Sequence, residues 1–384
     1  MFQVFHRCCL PHVAKRPCIL KLAVMAREMP VTPFMRKLRK KKPMKLPPST
    51  LALLVTLACT AAQVHAEVVP LFGQSLAGSS VFALTYATTG ANSTVTGDIV
   101  SGDVATMGAA SRLSGNLLSL GASTIGANAV VSGNMLSGGA ATVGANASVA
   151  GKVAALGAVT LSASSTTHGA GTLSAVPTNV RSDAQQIGAA QAALKNMGQG
   201  AALGTTMTLD TTLYPGVFSA ANLSTTAGIT LTLDGQNRSN QSWVFNIDDY
   251  LVTGAAMKIV LINADASNSV IWNSGGYTSL GASGEFIGTI LAKDYVSVGA
   301  GTSVTGVGSA CGGLFSATSY VSTGDGARIG GKGCSGIGSG FDIVDGTAVR
   351  SIDIPAVPEP SSYAMLAAGL ALLGLMRQRK LARL

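Results

Sequence analysis

Residues 93–164 read STVTGDIVSGDVATMGAA, SRLSGNLLSLGASTIGAN, AVVSGNMLSGGAATVGAN and ASVAGKVAALGAVTLSAS when set in lines of eighteen. Down these lines Val95, Leu113, Val131 and Val149 form one column, and Met107, Ile125, Val143 and Leu161 another. Gly97, Gly115, Gly133 and Gly151 form a third. A linker has no reason to keep such a period. A solenoid does, because each repeat is one coil that buries its apolar residues only by stacking on its neighbours. The apolar columns are expected to face inward, and the glycines to sit at corners that need unusual backbone angles.

Thr106, Thr124, Thr142 and Thr160 each precede an inward apolar residue. Side chains alternate across a strand, so these threonines are expected to point outward. Val104, Ala122, Ala140 and Ala158, two residues earlier, share that face, and Thr88 lies one period before Thr106. The pattern of a leading residue, then Thr or Ser, then Gly-Ala returns later with tyrosine leading. Tyr277-Thr278-Ser279 and Tyr295-Val296-Ser297 are two instances, and Tyr320-Val321-Ser322 follows. Tyr250-Leu251-Val252 departs with valine in the hydroxyl place. The intervals of 27, 18 and 25 between these tyrosines imply loops between coils. Two solenoid blocks are therefore expected, at about 82–174 and 205–333.

Between the blocks lies VPTNVRSDAQQIGAAQAALKNMGQG. Val180, Ile187 and Leu194 recur every seven residues, Ser182 with Gln185 has the look of a capping box, and Gly198 offers a stop. This spacing predicts one amphipathic helix over about 180–197, packed along the solenoid. The expected fold class is all-β dominated, a β-solenoid with one long α-helix alongside.

Composition narrows function. The chain of 384 residues has 47 glycines but only 11% charged residues, unlike a disordered chain of high net charge. The formal charge of +9 is confined to the ends. Without the twelve basic residues and one acid of 1–66, and the four basic residues of the last eight, ten basic face sixteen acidic residues. That mildly acidic body argues against nucleic-acid binding. His168 is the single histidine after residue 66, so a histidine-based triad or multi-histidine metal site is not expected. No enzyme activity and no cofactor is expected.

Both ends read as processing signals. A basic run precedes the apolar stretch Leu51–Ala62, which ends in Val64-His65-Ala66. This is a secretory signal peptide by pattern, with cleavage by signal peptidase expected after Ala66 and the true start at Met35 or Met44. Residues 1–66 are then leader, 67–340 the solenoid domain, 341–357 a linker and 358–384 a tail. The tail holds Pro358-Glu359-Pro360, then an apolar run from Tyr363 to Met376, then a basic cluster. That order resembles the PEP-CTERM sorting tail of Gram-negative bacteria. The resemblance implies cleavage by an exosortase near Pro358-Glu359-Pro360, after transient holding in the inner membrane, and a final place at the cell surface. An ordinary short membrane anchor is the other reading, with the basic cluster cytoplasmic in both. Outside the leader two cysteines remain, Cys311 and Cys334. They form one disulfide in an exported chain, or stay two separate buried thiols.

A solenoid interrupted by one helix resembles the ice-binding-protein-like (DUF3494) family. The segments that carry the likeness are ITLTLDGQNRSNQSWVFNI, KIVLINADASNSVIWN, FIGTILA and the Tyr-x-Ser-x-Gly coils. The family implies a right-handed, discontinuous β-solenoid, and ice as ligand for some members. The expected ice face is Thr88, Thr106, Ala122, Thr124, Ala140, Thr142 and Thr160. Tyr277, Ser279, Tyr295, Ser297, Tyr320 and Ser322 form a second candidate face, where tyrosines could stack on sugars or shield the sheet. Threonine is also a common solvent-facing strand residue without any ligand. The alternative to ice is a structural or adhesive role in the extracellular polysaccharide matrix.

Overall fold

The structure, a computed structural model, describes residues 68–308, 310–331, 334 and 339–351. The leader with its Ala66 cleavage site, and the tail with Pro358, Glu359 and Pro360, lie outside the described residues.

Short parallel strands wind into a solenoid of three faces, here called a, b and c. Face a is an eleven-stranded sheet, which at about 4.7–4.9 Å per strand runs for roughly 48 Å. Its strands show why so short a segment holds. In Ala105–Met107 and Ala141–Val143 the outer two side chains are buried and the middle one is partly exposed. On face a each such strand contributes two inward residues and one outward residue, whereas Arg112–Ser114 on face b buries only its middle residue. The inward column Val95, Leu113, Val131 and Val149 is at most 1% exposed. Leu161, at the end of the other apolar column, is 43% exposed because no coil follows it.

The glycines Gly115, Gly133 and Gly151 do not have the unusual backbone angles expected of them; in that column only Gly97 has a positive φ, +105°. Close approach explains the recurrence instead. A Cβ on Gly133 would stand 2.5 Å from the Gly115 carbonyl oxygen, and one on Gly151 would stand 2.6 Å from the Gly133 oxygen. The left-handed corner falls elsewhere, at Asn92, Ala110, Asn128, Asn146 and Ser164, with φ of 56–59°. Asparagine reaches this region at low cost. Repetition of one turn keeps successive rungs in register.

The two blocks are not arranged in chain order. The rung at Ala87–Thr89 pairs with Val321–Thr323 on face a. Thr94–Val95 pairs with Arg328–Ile329 on face b, and Val81–Ala83 with Leu314–Ser316 on face c. All three faces therefore cross one seam, and the coils of 206–329 and 79–172 form a single stack. The first block begins at the seam and grows away from it. The helix then carries the chain back past the seam, so that the second block starts at the far end and closes on it.

That helix spans Val180–Lys195 and buries Val180, Ile187, Ala190, Ala193 and Leu194. They meet Phe82, Val100, Val244, Ile271, Leu291 and Phe315 of face c in a second apolar core. Asn246 Nδ2 donates to the Leu194 carbonyl at 2.8 Å, and Asn273 Nδ2 donates to that of Gln191 at 3.0 Å. These polar side chains satisfy carbonyls on a helix pressed against a sheet. The cap differs from the capping box read in the sequence. Asn179 is the N-cap, and its side chain accepts from the Ser182 amide at 3.2 Å. Ser182 is thus three residues inside, where it supplies the donor.

Residues 341–350 are not the linker expected. Phe341–Val344 and Thr347–Arg350 form an antiparallel hairpin, and Val68–Pro70 adds a third strand. Alternating Phe341, Ile343 and Ala348, Arg350 gives the hairpin one inward face, and Phe341 joins the core beneath the helix. Cys311 and Cys334 are joined by a disulfide.

Candidate ligand-binding face

One register line runs the length of face a through one outward residue of every strand, the middle one where the strand has three. It passes Thr206, Ser224, Val252, Ser279, Ser297 and Ser322, crosses the seam to Thr88, and continues through Thr106, Thr124, Thr142 and Thr160. Ten of the eleven carry a hydroxyl. All eleven are exposed or half-exposed, and their neighbours Ala87, Ala105, Ser123 and Ala141 are buried. Among the described residues no hydroxyl of this line has a protein hydrogen-bond partner, so all ten are open to water.

The second outward column is two residues earlier. In the first block it is Val104, Ala122, Ala140 and Ala158, all at least half-exposed. At the first rung of that block and in four rungs across the seam it is aromatic. Tyr250, Tyr277, Tyr295, Tyr320 and Tyr86 stack in one continuous ladder, with ring centroids 5.5, 4.8, 5.0 and 4.6 Å apart and interplanar angles of 18° or less. The rung spacing sets this distance, and offset stacking adds to the packing of each pair. Ring faces are occupied by one another, which leaves only the outer faces of Tyr86 and Tyr250 open for a sugar. Stacking of sugars along the ladder, one of the two roles considered for these tyrosines, does not fit this geometry. Burial among its neighbours raises the pKa of Tyr295, with the Tyr277 and Tyr320 rings and Asp294 adding to it. Tyr320 is raised by burial and by Tyr86. These phenols stay protonated at neutral pH.

The third outward column is Gly90, Gly108, Gly126 and Gly144 in the first block, which leaves the edge of the face flat. No Asp, Glu, Lys or Arg occupies any of these outward columns from Gly204 to Ser162. The other faces differ. Face b carries Arg112, Arg328 and a Lys258–Glu285 ion pair of 3.0 Å. Face c lies under the helix over much of its length. Face a alone is open, regular and free of formal charge.

The structure thus brings Thr88, Thr106, Thr124, Thr142 and Thr160 into one line, with Ala122 and Ala140 beside it. It places Tyr277, Ser279, Tyr295, Ser297, Tyr320 and Ser322 on the same face rather than on a second one. Sequence reasoning did not include Tyr86, Tyr250, Ser224 and Thr206 among the site residues. Tyr86 stands two residues before Thr88, as Tyr320 does before Ser322, but only the seam makes them neighbours.

Residues 163–323 match the ice-binding-like family, and residues 356–380 match the PEP-CTERM protein-sorting motif. The chain therefore carries an ice-binding-like domain and a PEP-CTERM tail. It is 36% identical over 96 residues to ice-binding protein 1 of Shewanella frigidimarina, covering 25% of this chain and 11% of that protein. It is 39% identical over 101 residues to an ice-binding protein of Nostoc sp. (strain HG1), covering 26% and 35%. The matched stretch spans well under half the length of these relatives. Among solved structures, the ice-binding protein of the Antarctic ascomycete Antarctomyces psychrotrophicus is similar at 16% identity and a TM-score of 0.42, covering 68% of this chain and 98% of that one. The DUF3494 domain of the Shewanella protein is similar at 20% and 0.41, covering 70% and 98%.

Proposed function

We propose that this is an exported surface protein that adsorbs to ice through face a, with the Thr88, Thr106, Thr124, Thr142 and Thr160 line and the Ala122 and Ala140 column as the contact. The observation that carries the reading is the continuous register line, ten of whose eleven residues are hydroxyls with no partner among the described residues, on the one open, uncharged face. Rungs recur at about 4.7–4.9 Å, and alternate residues along a strand at about 6.4–6.8 Å. Such a two-dimensional grid of hydroxyls and methyls can hold water in an ordered layer. Threonine is stiff at χ1, so docking on a rigid sheet costs little side-chain entropy. Formal charges would hold their own hydration shells, and this face has none. The sorting tail implies an exosortase as processing partner and the cell surface as destination.

The test is inhibition of ice recrystallisation by the purified protein. A Thr124→Tyr, Thr142→Tyr double variant is expected to lose it while keeping the far-ultraviolet spectrum of the parent. Ser114→Tyr, on exposed face b, is expected to keep it. The opposite pattern would move the contact to face b. Absence of any ice activity, together with retention on purified extracellular polysaccharide, would replace ice by the matrix role, to which the sorting tail is equally suited.

A further inference from the structure

We infer that the tyrosine ladder is a site of oxidative cross-linking, and that its Tyr86–Tyr320 pair forms a dityrosine that staples the two solenoid blocks across their seam. Five phenols stand in consecutive ring contact on an open face. Among the described residues none of their hydroxyls has a protein partner, so each can release a proton to water as its ring is oxidised. Tyr86 and Tyr320 are the closest pair, at 4.6 Å and 6°. Tyr86 is also exposed, at 41%, and it ends the ladder, so its ring is free to tilt out of parallel. The two residues are 234 positions apart in the chain. A bond between them closes a very long loop, and long loops gain most in the chain-entropy account of cross-links.

The oxidant is hydrogen peroxide acting through a haem peroxidase. Each phenol loses one electron and its hydroxyl proton. The two phenoxyl radicals couple through the ring carbons Cε, next to the carbon that bears oxygen, to form one C–C bond. Each coupled Cε then gives up its hydrogen, and both phenol hydroxyls are restored. Two hydrogens leave in total, and one peroxide becomes two waters. Tyr214 is the internal control: it is 55% exposed and, among the described residues, stacks on no other tyrosine.

The experiment treats the purified full chain with a haem peroxidase and peroxide, then maps peptides by mass spectrometry. The expected product is a monomer lighter by two hydrogens per link, with dityrosine fluorescence, a linked peptide pair containing Tyr86 and Tyr320, and a raised unfolding temperature. Tyr86→Phe is expected to lose that pair and the thermal gain. Links confined to Tyr214, links only between molecules, or no ladder link under conditions that couple free tyrosine would overturn the inference. So would a Tyr86–Tyr320 link that leaves the unfolding temperature unchanged, since the seam would then not be stapled.

Discussion

Gly133→Ala tests whether the repeated glycines reflect rung spacing or backbone angle. The new methyl would meet the Gly115 carbonyl oxygen at 2.5 Å and Asn116 Oδ1 at 2.6 Å. That same carbonyl accepts the Gly133 amide at 3.0 Å, and Asn116 Oδ1 accepts the Asn134 amide at 2.9 Å. Neither oxygen can retreat without stretching a bond to the next rung. Overpacking costs about 1–3 kcal/mol, and a weakened hydrogen bond adds roughly 0.5–1.5. Loss of glycine's freedom in the unfolded chain returns about 0.4–1 kcal/mol. The net expectation is a destabilisation of about 0.5–4 kcal/mol, read as a lower urea midpoint. Hydrogen exchange should rise first in the rungs at 115–119 and 133–137, because coupling in a solenoid is between neighbours. Gly169→Ala is the control, since nothing lies within 4 Å of its added Cβ. It is expected to be neutral or to stabilise by up to about 1 kcal/mol. If Gly133→Ala behaves like Gly169→Ala, close approach is not what fixes this column.

Reduction of Cys311–Cys334, which spans 23 positions, is expected to remove roughly 3 kcal/mol, seen as a lower melting temperature in reductant and matched by a Cys311→Ser, Cys334→Ser variant. Ile187→Ala deletes a fully buried side chain between helix and face c and is expected to cost about 2–5 kcal/mol in a denaturant titration. Asp183 is 3% exposed, and burial raises its pKa despite a 2.5 Å hydrogen bond from Ser75 Oγ. Its folded pKa lies above the unfolded one, so the native state binds more protons between the two, and stability falls as pH rises through that window. Asp183→Asn is therefore expected to be at least as stable as the parent at neutral pH, with the advantage fading in acid. A variant less stable at neutral pH and no different in acid would contradict that sign.

Much of face a was legible in residues 93–164, because a period of eighteen with alternating sidedness leaves little choice of which residues point outward. Thr106, Thr124, Thr142 and Thr160 could be aligned before any coordinates. The helix was legible for the same reason, through Val180, Ile187 and Leu194. What lay beyond the sequence was order in space. Nothing in the spacing of Tyr86 or Tyr320 says that a long helix returns the chain and sets one above the other. The cause of the glycine column was hidden too, since close approach and positive φ leave the same residue behind. The hairpin at 341–350 was missed because four-residue strands that pair with Val68–Pro70 have no local signature of their partner.

The seam has a consequence for biogenesis. The rung that completes the stack beside Ala87–Thr89 is Val321–Thr323, among the last parts of the domain to be synthesised. Until it arrives, the first block has bare strand edges on three sides, and such edges recruit other chains. Contacts this distant in sequence form slowly. The newborn protein therefore passes through a vulnerable interval, in which its earliest coils must be shielded until the final ones dock.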